Sequence, residues 1–156
     1  VLAIVLFVRR VMQTSNISVL DSQQLAATED DEKAAMENTD RLDIPDGVEV
    51  YEINGPFFFG LASRFEELGK MKQSGTKVRI IRMRKVPFID STGINNLRNL
   101  CERTRKRGVT VILSGVTEKV QASLEKFGVD KEIGPENIFP HIIPALAKAT
   151  ELVQKK

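Results

Sequence analysis

One cysteine, one histidine, one tyrosine and no tryptophan occur in 156 residues, and each scarcity removes a class of function. A lone Cys101 excludes an internal disulfide and leaves no thiol cluster for zinc. The lone His141, beside Pro140, reads as a helix-start or surface residue. With a formal net charge of only +2 and few rings for stacking, the chain lacks the dense basic stripe and base platforms of a nucleic-acid binder, so no nucleic-acid partner is expected. GxGxxG and GxxxxGK(S/T) loops are missing, as are histidine or carboxylate pairs at ligand spacing. No cofactor or metal is therefore expected, and enzymatic chemistry lacks its parts. The chain also has no apolar run of the roughly 20 residues that a membrane-crossing helix needs.

What it does have is a short one. The first eight residues, VLAIVLFV, are wholly apolar and are followed at once by Arg9 and Arg10. A signal peptide would carry its positive charge before the apolar run, the reverse of this order. Residues 1–12 are expected to be the end of a last transmembrane helix, with the arginine pair marking the cytoplasmic side. The plainer alternative is an apolar terminal strand or helix of a soluble domain. Residues 13–43 hold all eight acidic side chains of residues 1–43 and read as a linker with a short helix around Gln23 to Met36. Removing residues 1–43 leaves 19 basic against 13 acidic side chains in 44–156, a modest preference for anionic partners.

From Val48 onward the hydrophobic period alternates. Val48, Val50 and Ile53 mark a strand, and Leu61, Phe65 and Leu68 a helix; VRIIRM (Val78 to Met83) is followed by Ile94, Leu97 and Cys101 at helical spacing. VTVIL (Val109 to Leu113) precedes Val120, Leu124 and Phe127, and Ile142, Ile143, Leu146 and Val153 share a final helical face. Such alternation builds right-handed βαβ units with a parallel sheet, an α/β fold. Gly75 and Gly108 stand where helices should stop, and Arg103, Arg105, Lys106 and Arg107 suit a helix C-terminus.

Two loops stand out. In VPFIDSTGI, Asp90, Ser91 or Thr92 can accept from the first N–H groups of the following helix, which capping alone explains. Its place after a parallel strand also puts it where open α/β sheets bind ligands and where a helix N-terminus favours an anion or phosphate. Gly93, without a side chain, would let another surface come close. NGPFFFG (Asn54 to Gly60) places three phenylalanines in a turn, suited to core packing or to a partner. Arg79, Arg82, Arg84 and Lys85 with Arg98, Arg103 and Arg105 form either a solvated surface or a face toward anionic lipid or an acidic protein; Arg84, Lys85, Arg98 and Arg105 are its candidates. Cys101, on an apolar helical stripe, is core packing or a reactive thiol.

The apolar stub ending in RR, the acidic linker, the strand leading into NGPFFFG and the VPFIDSTGI loop before a basic helix together resemble the STAS domain at the cytosolic end of SulP-family anion transporters, a domain shared with anti-sigma-factor antagonists. The resemblance covers residues 44–156. It implies a mixed, mostly parallel sheet of four to five strands with helices mainly on one face, and an antiparallel edge strand near Arg41 to Ile44. It implies a regulatory and assembly role at the cytoplasmic face of the membrane, by protein–protein interaction and not catalysis, in a transporter of sulfate, bicarbonate or dicarboxylate. The partners it implies are the transmembrane domain of the same transporter, a second copy, and an acyl carrier protein or other acidic regulator. The interaction loop maps onto Asp90, Ser91, Thr92 and Gly93. Thr92 stands where the antagonists are phosphorylated, so the alternative is a soluble phospho-switch at Thr92.

Overall fold

The computed structural model describes residues 3–7, 16–20, 44–55 and 75–155. Four strands form one sheet in the order β1-β2-β3-β4, with β1 Asn16–Leu20, β2 Val48–Asn54, β3 Val78–Lys85 and β4 Thr110–Ser114. Strands β2, β3 and β4 run parallel, and β1 lies antiparallel on β2, with Asn16 opposite Asn54 and Leu20 opposite Val50. A single parallel bridge, Leu113 to Ile138, extends the sheet past β4.

Six consecutive residues of β3, Val78 to Met83, are buried, so this strand is covered on both faces, as an interior parallel strand must be. Strand alternation separates two cores. Ile53, Ile81, Met83, Val111 and Leu113 face helix α1 (Ser91–Lys106), helix α2 (Glu118–Lys126) and the short helix α3 (Val129–Ile133). Val48, Val50, Val78, Ile80 and Ile112 face helix α4 (Ile142–Gln154), which contributes Ile142, Ala145, Leu146 and Ala149. Among the described residues three helices thus lie on one face and one on the other, the arrangement the resemblance implies.

Helix boundaries follow from caps. Asp90 and Thr117 accept from the backbone N–H of Gly93 and Val120 at the starts of α1 and α2. Helix α1 ends on Arg103, Arg105 and Lys106 before Gly108, whose φ of 75° is left-handed. His141 is the N-cap residue of α4 and exposed, as expected.

The fold departs from the sequence reading in several places. The antiparallel edge strand lies at Asn16–Leu20, inside the stretch expected as linker, and not near Arg41 to Ile44; Ile44 is outside any strand and 41–43 lie outside the described residues. NISVL carries β-branched residues at alternate positions, but acidic neighbours obscure that short signal. Phe127, placed by spacing on the buried face of α2, is 40% exposed, because the helix ends there. On α4, Ala145 and Ala149 fill the centre of the buried face, with Ile143 and Val153 at its margin. The expected helices at Leu61 to Leu68 and Gln23 to Met36, and residues 56–60 of NGPFFFG, lie outside the described residues.

After β4 the chain turns at Gly115, with φ of 65°. A Cβ there would stand 2.8 Å from the backbone nitrogen of Arg84, so the β4 turn crosses the end of β3 at a distance only glycine permits. Replacement of Gly115 by alanine should therefore lower unfolding free energy by about 2 kcal/mol, combining left-handed strain with a clash against backbone. Gly108→Ala, at a left-handed position with no neighbour within 4 Å, should cost less. Urea denaturation of the two variants checks the order.

Candidate functional site

The loop between β3 and α1 sits at the carboxyl edge of the parallel strands. Val86 and Ile89 are buried in the core and anchor it, while Pro87 and Phe88 between them are exposed, Phe88 by 40%. Asp90 has extended backbone, and its Oδ1 accepts from the Gly93 N–H at 2.7 Å. Its carbonyl accepts from the Ile94 N–H at 2.8 Å. The carboxylate is therefore committed to holding the first turn of α1.

The four candidate loop residues divide into two roles. Asp90 caps, and Gly93 is buried, so its missing side chain allows close packing within the fold and not the approach of an outside surface. Ser91 and Thr92 are exposed on the first turn, as is Asn95 one turn later. That turn carries no acidic side chain, and the Asp90 carboxylate at its cap already faces the positive end of the helix dipole, beside the two hydroxyls. Pro87, Phe88, Ser91, Thr92 and Asn95 make a small apolar and hydroxyl surface suited to contact.

The basic candidates do not share one face. Arg84 Nε and Lys85 Nζ reach Glu52 at 3.3 and 3.2 Å, and the fully buried Arg82 approaches the same carboxylate at 3.6 Å. Glu52 is itself only 2% exposed, so one carboxylate gathers three cations at the ends of β2 and β3. Lys85 still presents half its side chain to solvent. Arg98, by contrast, reaches both carboxylate oxygens of Glu132 at 2.9 Å and the Phe127 carbonyl. Arg105 donates to the Glu132 carbonyl at 2.6 Å. These two arginines fasten α1 to the ends of α2 and α3.

Sequence reasoning missed Glu52 as the hub. The available signal was the second of two acids in VEVYEIN, facing the RMRK end of β3, legible only once parallel register is known. It also missed a second network, in which Glu49 accepts from Thr76, Arg79 and Tyr51 at 2.6, 3.0 and 3.1 Å, with Arg79 stacked 4.8 Å over the Tyr51 ring. Burial pushes the Glu49 carboxyl upward, but those hydrogen bonds and the Arg79 charge outweigh it and hold it below the usual range.

The thiol of this helix is not reactive. Cys101 is buried on α1, and loss of solvation pushes its thiol up to about 12, against the weaker pull of the Arg105 charge. Among the described residues no cluster of three or more His, Cys, Asp or Glu side chains could hold a metal ion. A cleft of about 190 Å³ lined by Arg105, Val109, Val111 and Asn137 lies along the outer edge of β4 and involves none of the loop residues.

The family model described as STAS domain matches residues 41–148. A putative sulfate transporter of Bacillus subtilis (strain 168), YvdB, is 26% identical over 141 residues, covering 90% of this chain and 24% of its own length. This chain thus spans about a quarter of that curated relative. The crystal structure of a sulfate transporter family protein from Wolinella succinogenes superposes with a TM-score of 0.70 at 44% identity, covering 76% of this chain and 98% of that one. The SulP transporter STAS domain from Vibrio cholerae gives 0.67 at 34% identity, covering 74% and 91%.

Two outcomes follow from the site. Asp90→Ala should destabilise the domain by about 1 kcal/mol through loss of the cap, whereas Ser91→Ala should leave thermal stability nearly unchanged. Ellman's reagent at pH 8 should leave Cys101 unmodified in the native protein and titrate one thiol in denaturant; rapid reaction of native protein would contradict the burial.

Proposed function

This chain belongs to the STAS domain family, and we propose that it serves as the regulatory and assembly domain of a SulP-type anion transporter, held at the cytoplasmic face of the membrane. The observation that carries this reading is the helical stretch at residues 3–7. Ile4, Val5, Leu6 and Phe7 are 67, 57, 55 and 68% exposed. Four consecutive helical residues point around the whole circumference, so no single groove on a soluble partner covers them, whereas lipid or a helix bundle does. Withdrawing such side chains from water is worth about 2 kcal/mol each.

Among the described residues no helix is long and apolar enough to cross a membrane. The proposed domain therefore does not translocate the ion. Its partners are the transmembrane domain of the same transporter, with selectivity for sulfate, bicarbonate or a dicarboxylate residing there, together with a second copy and an acidic regulator such as an acyl carrier protein. The role is binding and not catalysis, consistent with an Asp90 engaged in capping and a Cys101 shielded from solvent. A partner on the surface formed by Phe88, Ser91 and Thr92 changes transport only to the extent that it binds two states of the transporter unequally.

A second reading is favoured by the exposure of Thr92 in the first turn of α1. A phosphate there would be stabilised by the dipole and would add charge and bulk to a contact surface, making the domain a soluble phospho-switch. Deleting residues 44–156 from the full-length protein and measuring anion uptake in cells tests the leading proposal. The expected result is a loss of uptake or of membrane abundance; unchanged rate, abundance and response to partners would refute it. Phosphoprotein analysis of Thr92 decides the second reading, which requires the modified form in cells.

A further inference from the structure

Strand β4 ends the sheet, and only part of its outer side is covered. In a parallel ladder the backbone groups of successive residues point alternately to the two sides of the strand. The Thr110 N–H donates to the Lys77 carbonyl at 2.9 Å, so Thr110 and Ile112 bond inward to β3. Val111 and Leu113 therefore turn their N–H and C=O groups outward. Leu113 is met there by the bridge to Ile138, its carbonyl accepting from the Phe139 N–H at 2.9 Å. Ahead of Ile138, however, the chain leaves the sheet as the 3-10 turn Pro135–Asn137. Among the described residues no backbone group pairs with the outward side of Val111.

The gap left beside Val111 is the cleft of about 190 Å³ along β4. Its floor is backbone, with the Val109 carbonyl and the Val111 N–H and carbonyl on the outward side. Its wall carries Arg105, an exposed residue in the last turn of α1. Arg105 Nε reaches the Cys101 carbonyl at 3.5 Å and Nη1 the Glu132 carbonyl at 2.6 Å, while Nη2 has no partner among the described residues. The nearby Glu132 carboxylate is held through both oxygens by Arg98, so it leaves the Arg105 charge standing. The carbonyl end of a helix repels anions, but here the Thr104 and Arg105 carbonyls already accept from the N–H groups of Arg107, Gly108 and Val109. Arg103, Arg105 and Lys106 make that turn basic.

We propose that this cleft docks an extended acidic segment of another polypeptide, which adds a short strand to β4 opposite Val111 and sets a carboxylate against Arg105. An unpaired strand edge is a template for such pairing, and backbone bonds supply the attachment. The guanidinium supplies the preference for acid. A second copy of this chain, paired edge to edge, would bring its own Arg105 into the same gap, like charge against like. The site lies at the far end of α1 from Ser91 and Thr92 and uses neither. It does not depend on the membrane reading given above, so either stands if the other fails.

Fluorescence anisotropy of labelled octapeptides, titrated with the full-length protein in detergent, tests the site. One probe alternates valine and glutamate, a second has lysine in place of glutamate, and a third keeps glutamate but is N-methylated throughout, so that it cannot pair as a strand. The glutamate probe should bind saturably and the other two about tenfold more weakly. Arg105→Gln should weaken the glutamate probe by about tenfold, the loss of one charge-assisted contact. Lys106→Gln makes the same charge change on the same turn outside the cleft and should leave binding unchanged. Far-ultraviolet circular dichroism checks that both variants are folded. A readout that needs no variant is hydrogen exchange at the Val111 amide, which should slow at saturating glutamate probe. Absence of saturable binding, equal binding of the three probes, equal loss in the two variants, or unchanged exchange at Val111 would each overturn the proposal. So would self-association of the protein that Arg105→Gln abolishes, since a second copy would then hold the edge.

Discussion

The constraint on which the rest depends is the burial of β3 on both faces. Val78, Ile80, Ile81 and Met83 are all closed to solvent, and a parallel strand so enclosed needs helices on either side of its sheet. That requirement sends α1 and α2 across one face and α4 across the other. It also brings every strand-to-helix turn to one edge. The loop between β3 and α1, the cap at Asp90 and the Gly115 turn are consequences of that topology more than independent features.

At the same edge, charge is managed by a single carboxylate. Glu52 stands among Arg82, Arg84 and Lys85, and its depth in the fold means that removing it would strand a buried guanidinium. Arg98 and Arg105 do comparable structural work elsewhere, tying α1 to the carbonyl ends of α2 and α3. The positive charge of the domain is thus partly internal fastening. What remains for an anionic partner is narrower than a count of lysines and arginines suggests.

The exposed surface at this edge consists of two hydroxyls, Asn95, a proline and a phenylalanine. Strand β1 matters here because it turns a presumed loose connection into part of the sheet.

The sequence by itself determined the α/β class, the three parallel strands, the positions of α1, α2 and α4, and the place of the DSTG loop between β3 and α1. Each depends on local period, caps and turn residues, which are encoded within a few neighbouring positions. It also left Asp90 open between capping and binding, since the same letters serve both. Only tertiary structure decided that Asp90 caps and Gly93 is buried while Ser91 and Thr92 remain outside. Only tertiary structure paired Glu52 with residues some 30 positions away, exposed Phe127 at a helix end, and drew Asn16–Leu20 out of an acidic stretch to complete the sheet. Those outcomes depend on register and on which groups meet across the fold, information that no window of neighbouring residues contains.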